Sequence, residues 1–176
     1  MKDMSEVMTD LAYSALFLHD RKISAEVNRM DKEVQQLEED TLKMLFKVRE
    51  SGGERITILN ITGFIRNISN SAVQISNLVE SERLPSIIKD ILKESDKRVL
   101  TETIVGKSPL VGRTIGGSRV EVYTKARILA INRKKKWVFE VNDDTRLMNK
   151  DLLVAVGNVE AEKILKDVAN GKIKKI

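Results

Sequence analysis

The stretch VGKSPLVGRTIGG, residues 105–117, decides between two folds for the second half of this chain. It holds four glycines and the tripeptide Gly-Lys-Ser. The same tripeptide forms the end of a nucleotide-binding P-loop. A P-loop, however, needs another glycine five residues before Gly106 and a helix directly after the serine, and position 101 is threonine. Ser108 followed by Pro109 is instead typical of an ordinary helix start, and the glycines permit tight turns. We therefore predict that the stretch forms bends of a small sheet domain and holds no triphosphate.

The residues around this stretch have the composition of β-strands. Segments 98–105, 125–132, 137–141 and 151–156 are rich in β-branched and aromatic residues. The basic run at 133–136 lies between two of them and is predicted to be a hairpin tip. Residues 159–168 have helical spacing, with Asn158 as the N-cap. We expect residues 97–176 to form one small α+β domain.

Residues 1–96 are predicted to be helical almost throughout, because their apolar residues recur at alternating spacings of four and three. A short stripe over residues 4–18 breaks near His19. The glycines at 52 and 53 are predicted to end the helix that follows, and a short helix is predicted over 86–94. This half is expected to be an antiparallel helical bundle. The two long seams consist of Ile23, Val27, Met30, Val34, Leu37, Met44 and Val48, and of Ile58, Ile61, Ile65, Ile68, Ala72, Ile75 and Val79.

Charge and composition limit the function. Residues 1–96 carry 13 Lys and Arg against 17 Asp and Glu, whereas residues 97–176 carry 18 against 9. The chain has no cysteine and one histidine, and no nucleophile with an adjacent base is readable, so we expect no enzyme activity. It has no apolar run long enough to cross a bilayer and no secretion signal pattern. We expect a cytoplasmic protein that meets a membrane only through a partner.

Three motifs in the second half carry a family resemblance. Residues 108–115 read Ser-Pro-Leu-x-Gly-x-Thr-Ile, residues 128–133 read Ile-Leu-Ala-Ile-x-Arg, and residues 151–160 read Asp-Leu-Leu-Val-Ala-Val-Gly-Asn-x-Glu. Their order resembles the TrkA-C domain, the C-terminal half of the RCK regulators of potassium transport. The family often has Gly-Asp before the last strand, where this chain has Lys150-Asp151. The chain has no G-x-G-x-x-G after a strand, so we expect no Rossmann-type NAD or ATP site.

The TrkA-C resemblance implies a domain that pairs into homodimers and senses a ligand for a channel or transporter. In some members the ligand is cyclic di-AMP, a cyclic dinucleotide bound across the dimer interface. If such a ligand binds here, Arg127, Asn132 and Arg133 are the polar residues to examine first. The basic run before Trp137 also has the composition that binds phosphates and stacks bases, although a charged tip that keeps a hairpin soluble explains it more simply.

The helical half, residues 1–96, resembles PhoU, the helical regulator of phosphate transport. PhoU-type bundles bind metal through carboxylates one helical turn apart. The corresponding pair here is Asp31 and Gln35, in which glutamine replaces the second acid, so the metal site is incomplete at this position.

Together these observations predict a soluble two-domain regulatory subunit, PhoU-like over residues 1–96 and TrkA-C-like over 97–176. It is expected to pair as a homodimer through both domains and to modulate a membrane cation channel or transporter, with potassium as the cation. Two alternatives remain open. One is a PhoU-type regulator linked to phosphate transport or metal. The other is a nucleic-acid-binding module, which the basic second half suggests but which no recognised nucleic-acid motif supports, so no nucleic acid is expected as a partner.

Overall fold

A computed structural model of the chain describes residues 1–47, 52–80, 90 and 94–176. Two compact units, Met1–Leu84 and Pro85–Ile176, make up the chain. The first is helical, and the second combines a four-stranded sheet with short helices, so the predicted α+β fold class is confirmed. The domain boundary at residue 97 stays a prediction, and the predicted helix at 86–94 lies mostly outside the described residues. In the ranges given above, no helix is both long and apolar enough to span a bilayer.

The described residues of the helical unit form α1 (Lys2–Leu18), α2 (Arg21–Lys47) and α3 (Gly52–Asn77), followed by a 3-10 turn at Leu78–Glu80. The predicted break near His19 is confirmed. His19 adopts the left-handed conformation with φ of 51°, and the Asp20 carboxylate accepts a hydrogen bond of 2.8 Å from the backbone N–H of Lys22. These two residues end one helix and cap the next.

The seam predicted for α3 is wrong at two positions. Ile61 and Ile68 are 53% and 48% exposed, whereas the residues buried along α3 are mostly small and polar. Each buried hydroxyl donates to a backbone carbonyl one turn earlier, for example Thr62 to the oxygen of Ile58 at 2.8 Å, so burial leaves it satisfied. The small side chains permit close helix packing, and the larger isoleucines are left outside. The buried residues of α3 are Thr62, Ser69, Ala72 and Ser76.

Two further predictions about the helices need correction. The seam of α2 is buried at Ile23, Val27 and Val34 but exposed at Leu37 and Met44, so only its first part packs inside the unit; Val48 lies outside the described residues. Gly52 and Gly53, predicted to end α2, are instead the first two residues of α3. The four-three pattern identified the helices, but it did not show how far each apolar stripe is covered.

The second unit is built on an antiparallel sheet of four strands, β1 (Arg98–Thr103), β2 (Arg127–Arg133), β3 (Lys136–Val138) and β4 (Leu152–Gly157), in the order β1-β4-β2-β3. The sheet is accompanied by helices α4 (Ile115–Ser118), α5 (Val120–Thr124) and α6 (Val159–Ala169). All four predicted strands and the terminal helix are confirmed. Asn158 caps α6 by accepting a hydrogen bond from the backbone N–H of Ala161 at 2.8 Å.

The core of this unit lies between one face of the sheet and its helices. The central residues of β2 and β4 are buried in unbroken runs, 128–131 and 153–156, which is the pattern of strands that are covered on both faces. The buried apolar cluster includes Leu100, Ile104, Leu110, Ile115, Val120, Ile128, Ile131, Leu147, Leu153, Leu165 and Val168.

The glycine-rich stretch that begins at Val105 forms turns ahead of α4. Gly112 has φ of +81°, a conformation that glycine adopts without strain. No helix starts at Pro109, so that prediction is wrong: residues 106–112 form consecutive turns. The Ser108 hydroxyl accepts a hydrogen bond from the backbone N–H of Leu110 at 3.3 Å and donates one to the backbone oxygen of Val168 at 2.8 Å. That bond ties the turns to α6.

Candidate ligand site

A cavity of about 200 Å³ opens at the surface beside α4 and α5. Thr114 positions its wall by capping α4, with the hydroxyl accepting a hydrogen bond from the backbone N–H of Gly117 at 3.0 Å. The six residues that line the cavity are Ile115, Gly116, Arg119, Glu121, Val122 and Asp143.

Gly116 allows the loop that carries Asp143 to approach α4 closely. The N–H of Gly116 donates to the backbone oxygen of Asp143 at 2.9 Å. A Cβ added at position 116 would lie 2.8 Å from the Cβ of Asp143, closer than real side chains come. The glycine is therefore needed for this contact, which brings a carboxylate to the cavity.

The charged groups of the cavity differ in how far they are already engaged. Glu121 is held, because its carboxylate accepts a hydrogen bond of 2.6 Å from the backbone N–H of Ile128. Arg119 lies between α4 and α5 with φ of 53°. Across the described ranges, neither the Arg119 guanidinium nor the Asp143 carboxylate has an ion-pair partner. The Arg119 guanidinium, the Asp143 carboxylate and the exposed side chain of Val122 are thus all available to a single ligand.

The predicted ligand residues lie elsewhere, along β2. Arg127 is exposed at the start of the strand, opposite Val156, and Asn132 and Arg133 lie at its other end. At about 3.3 Å per residue the two ends are roughly 20 Å apart. Arg127 is therefore far from Asn132 and Arg133, and these two, as neighbours along one strand, direct their side chains to opposite faces of the sheet. The role of all three in binding stays a prediction.

Arg133 already has an internal partner. Its Nε and Nη2 donate to the two carboxylate oxygens of Asp151 at 2.8 and 2.7 Å, and Nη2 also donates to the backbone oxygen of Arg146 at 2.7 Å. The hydrogen bond to Asp151 raises the pKa of Arg133 above its ordinary value. This bidentate pair joins the end of β2 to the loop before β4.

The basic run is a two-residue hairpin turn, as predicted. Arg133 pairs with Lys136, and Lys134 and Lys135 between them have φ of 50° and 66°. Positive φ at both central residues is the geometry of a type I′ turn, which favours Asn-Gly. The ring of Trp137, just after the turn, stacks on Phe139 with centroids 5.6 Å apart.

The candidate metal pair of the helical unit is occupied by protein contacts. The Gln35 amide donates to Asp31 at 2.8 Å, and the guanidinium of Arg66 forms an ion pair with the same carboxylate. Among the residues that the structure describes, no group of three or more His, Cys, Asp or Glu side chains is placed to hold a metal. Metal binding at Asp31 and Gln35 stays a prediction.

Sequence reasoning missed Arg119 and Asp143. The Gly116-Gly117 pair signalled a close approach, but only the fold shows that the approaching residue comes from a loop 27 positions later.

Two family models match the chain. Residues 1–79 match the PhoU domain, and residues 99–168 match the TrkA-C domain. The chain therefore carries a PhoU domain followed by a TrkA-C domain, and the motifs at 108–115, 128–133 and 151–160 indicated the second of these. No curated protein matches it.

Several solved structures are similar to the chain. The RCK_C domain dimer of S. agalactiae BusR in complex with c-di-AMP is 22% identical, with a TM-score of 0.39, and the match covers 41% of this chain and 95% of that one. The S. agalactiae BusR complex with its busAB-promotor DNA is 16% identical, with a TM-score of 0.41 and 98% of each chain covered. The GsuK channel bound to NAD is 21% identical, with a TM-score of 0.39, over 68% of this chain and 21% of that one. This chain thus spans about a fifth of the channel.

Proposed function

We propose that this protein is a non-enzymatic regulatory subunit that senses a small ligand through its TrkA-C domain. Its target would be a membrane cation channel or transporter, with potassium as the cation, reached from the cytoplasm. The observation that carries the proposal is the cavity of the TrkA-C domain, in which Arg119 and Asp143 have no ion-pair partner among the described residues. Ligand sites are concave and combine apolar side chains with a few convergent polar groups, and this cavity sets Ile115 and Val122 beside the charged side chains.

The cavity has the chemistry for a nucleotide-like ligand. The Arg119 guanidinium offers bidentate hydrogen bonds that suit a phosphate. The Asp143 carboxylate accepts from an amino or hydroxyl group, and Val122 offers an apolar surface to a ring. Glu121 adds a second negative charge, so a ligand with both donor groups and phosphate fits better than a bare anion. Cyclic di-AMP, which the TrkA-C resemblance suggests, has both.

Regulation would follow from a difference in affinity between two states. A ligand shifts a conformational equilibrium only by the amount by which it binds one state better than the other. In a homodimer, two copies of the TrkA-C domain would adopt a geometry that depends on the ligand, and the transporter partner would respond to that geometry.

Calorimetric titration of the purified protein with cyclic di-AMP, NAD and ATP tests the proposal. Arg119→Ala should weaken the binding of cyclic di-AMP by about 10- to 100-fold, because a hydrogen bond to a charged group contributes about 1.5–3 kcal/mol. Lys32→Ala, which removes one exposed positive charge from the helical unit, is the matched control and should bind like wild type. Equal affinity of the two variants, or no binding of any of the three ligands, would contradict the assigned site.

A second candidate function is nucleic-acid binding, which the β2–β3 hairpin favours. Lys134, Lys135 and Lys136 form no ion pair within the described ranges, and the Trp137–Phe139 stack lies beside them, a combination that suits phosphates and bases. In a salt series of gel shifts, replacing the three lysines by alanine should reduce the slope of log K against log salt by about one per lost phosphate contact. An unchanged slope would remove this candidate.

A further inference from the structure

One end of the sheet in the α/β unit collects basic residues from three distant segments of the chain. Thr103 at the end of β1 pairs with Leu152 at the start of β4, so the turns of residues 104–113 and the loop of residues 145–150 meet there. The tail of residues 170–176, after α6, is the third segment. The three segments contain no Asp or Glu. We name their exposed cations the basic surface; its residues are Lys107, Arg113, Arg146, Lys150, Lys172, Lys174 and Lys175.

Hydrogen bonds hold the three segments against one another. The backbone N–H of Lys150 donates to the oxygen of Ile104 at 2.8 Å. The Arg146 guanidinium donates to the backbone oxygen of Gly112 at 2.7 Å, and the Arg113 guanidinium donates to a backbone oxygen of the tail at 3.4 Å. The fold thus builds one connected surface from cations that lie up to 68 positions apart in the sequence.

Little inside the unit neutralises this surface. Lys172 forms an ion pair with Asp167 at 3.0 Å. Within the described parts of the chain, the other cations of the basic surface form no ion pair. Asp151, which directly follows the loop, is buried and engaged by Arg133. An excess of one sign of charge in one place attracts a partner of the opposite sign, so this surface fits an extended anionic partner.

Two exposed aliphatic side chains lie among these cations. The backbone N–H of Gly112 donates to the oxygen of Leu147 at 2.8 Å, which brings their neighbours Val111 and Met148 onto adjoining stretches of backbone. These two side chains are 37% and 43% exposed. The three segments contain no Phe, Trp or Tyr, whereas surfaces that bind single-stranded nucleic acid stack bases on aromatic rings. Aliphatic side chains surrounded by Lys and Arg suit the boundary between lipid headgroups and acyl chains.

We propose that the basic surface binds the anionic leaflet of a membrane directly, with Val111 and Met148 placed among the lipid headgroups. Arginine binds phosphate groups through paired hydrogen bonds, and lysine attracts them as a point charge. The contact would be peripheral and reversible, because two aliphatic side chains bury little apolar area. This inference uses neither the cavity at Arg119 nor a channel partner, so it can fail while the proposed function holds, and the reverse.

Sedimentation of the full chain with lipid vesicles tests the proposal. We expect binding to vesicles of phosphatidylcholine mixed with phosphatidylglycerol, weaker binding as the salt concentration rises, and little binding to phosphatidylcholine alone. Each cation near an anionic leaflet strengthens binding by about fivefold. The combined variant Lys150→Gln, Lys174→Gln and Lys175→Gln should therefore bind about 100-fold more weakly.

A second combined variant controls for the change in total charge. Lys32→Gln, Lys125→Gln and Lys163→Gln remove three exposed charges outside the basic surface and should bind nearly like wild type. Circular dichroism checks that both combined variants keep their secondary structure. Equal binding to the two kinds of vesicle, or equal loss of binding in the two combined variants, would overturn the proposal.

Val111→Ser with Met148→Ser separates a membrane from nucleic acid as the partner, because it leaves every charge in place. Binding to the anionic vesicles should fall by about tenfold, and any binding to duplex DNA should stay unchanged. Vesicle binding that this variant does not alter would overturn the proposed contact. Binding to DNA without binding to vesicles would also overturn it and would assign the basic surface to nucleic acid.

A fluorescent label shows whether Met148 enters the headgroup region. The natural sequence has no cysteine, so Met148→Cys can be labelled with a dye whose emission shifts to the blue in an apolar environment. Anionic vesicles should produce that shift. The same dye on Val159→Cys, an exposed position at the start of α6, is the control and should not respond. Equal responses at the two positions would contradict the assigned orientation of the surface.

Discussion

Replacing Arg133 by alanine should destabilise the α/β unit even when no ligand is present. The side chain of Asp151 is 1% exposed, and it accepts hydrogen bonds from Arg133 and from the backbone N–H of Met148. Arg133→Ala leaves this carboxylate buried with a single donor. Breaking a buried pair by removing one partner costs about 3–5 kcal/mol. Because the Arg133 side chain is 28% exposed, water partly replaces it, and we expect about 3 kcal/mol.

Urea unfolding followed by tryptophan fluorescence measures this loss in the correct unit, since Trp137 is the single tryptophan of the chain and lies in β3. With a slope of about 2 kcal/mol per molar urea, the midpoint should fall by about 1.5 M. Arg113→Ala is the control, because Arg113 is exposed and its side chain makes one long hydrogen bond of 3.4 Å to the Ile176 backbone; it should stay within about 0.5 kcal/mol of wild type.

Asp151→Asn combined with Arg133→Ala shows whether the buried charge is the cause. The neutral amide costs less to bury without a partner than a carboxylate does. The urea midpoint of the double variant should therefore lie between those of Arg133→Ala and wild type. If Arg133→Ala shifts the midpoint no more than Arg113→Ala does, Arg133 is not a structural residue, and its assignment to ligand binding would gain weight.

Two further predictions concern the same unit. Lys134→Asn with Lys135→Gly should stabilise it by about 1 kcal/mol or more, because the left-handed conformation costs an ordinary residue about 1–2 kcal/mol; a urea midpoint at or below that of wild type would contradict the type I′ turn. Burial raises the pKa of Glu102 above its ordinary value of 4.5, so the folded protein holds this proton more tightly than the unfolded chain, and stability is lost as the pH rises through the raised pKa. Glu102→Gln should therefore be more stable than wild type at pH 7, with a difference that disappears as the pH falls below 4.5; a difference independent of pH would exclude titration as its origin.

The local elements of the fold were predictable because their signals are short in range. The break at His19, the N-cap at Asn158 and the hairpin at Lys134–Lys135 each depend on a few neighbouring residues, whose backbone preferences act without distant partners. The helix expected at Pro109 did not form, although the Ser108 hydroxyl accepts a hydrogen bond from the backbone N–H of Leu110 at 3.3 Å, as a capping serine does. The same hydroxyl donates to the backbone oxygen of Val168, 60 residues away, a contact about which a local cap signal gives no information.

The site was less predictable than the fold. Arg127, Asn132 and Arg133 were chosen for polarity along one strand, but a strand separates its two ends by about 20 Å, and Asp151 engages Arg133. Arg119 and Asp143 line one cavity because the α4 turn and the loop before β4 meet at Gly116. The Gly116-Gly117 pair indicates a close approach, but no residue type in either segment identifies the loop that makes it.

From the linear chain alone it was possible to predict the helices of residues 1–80 with their four-three apolar spacing, the strands that begin at Arg98, and the PhoU and TrkA-C domains of the two halves. Periodicity and motif order are properties of the linear chain, so they can be read without coordinates. Only the tertiary structure decided which face of α3 is buried, because small hydroxyl residues that satisfy their own hydrogen bonds pack inside more closely than isoleucine. It also decided which charges remain available, since a charge is engaged or free according to partners that the fold brings from distant parts of the chain.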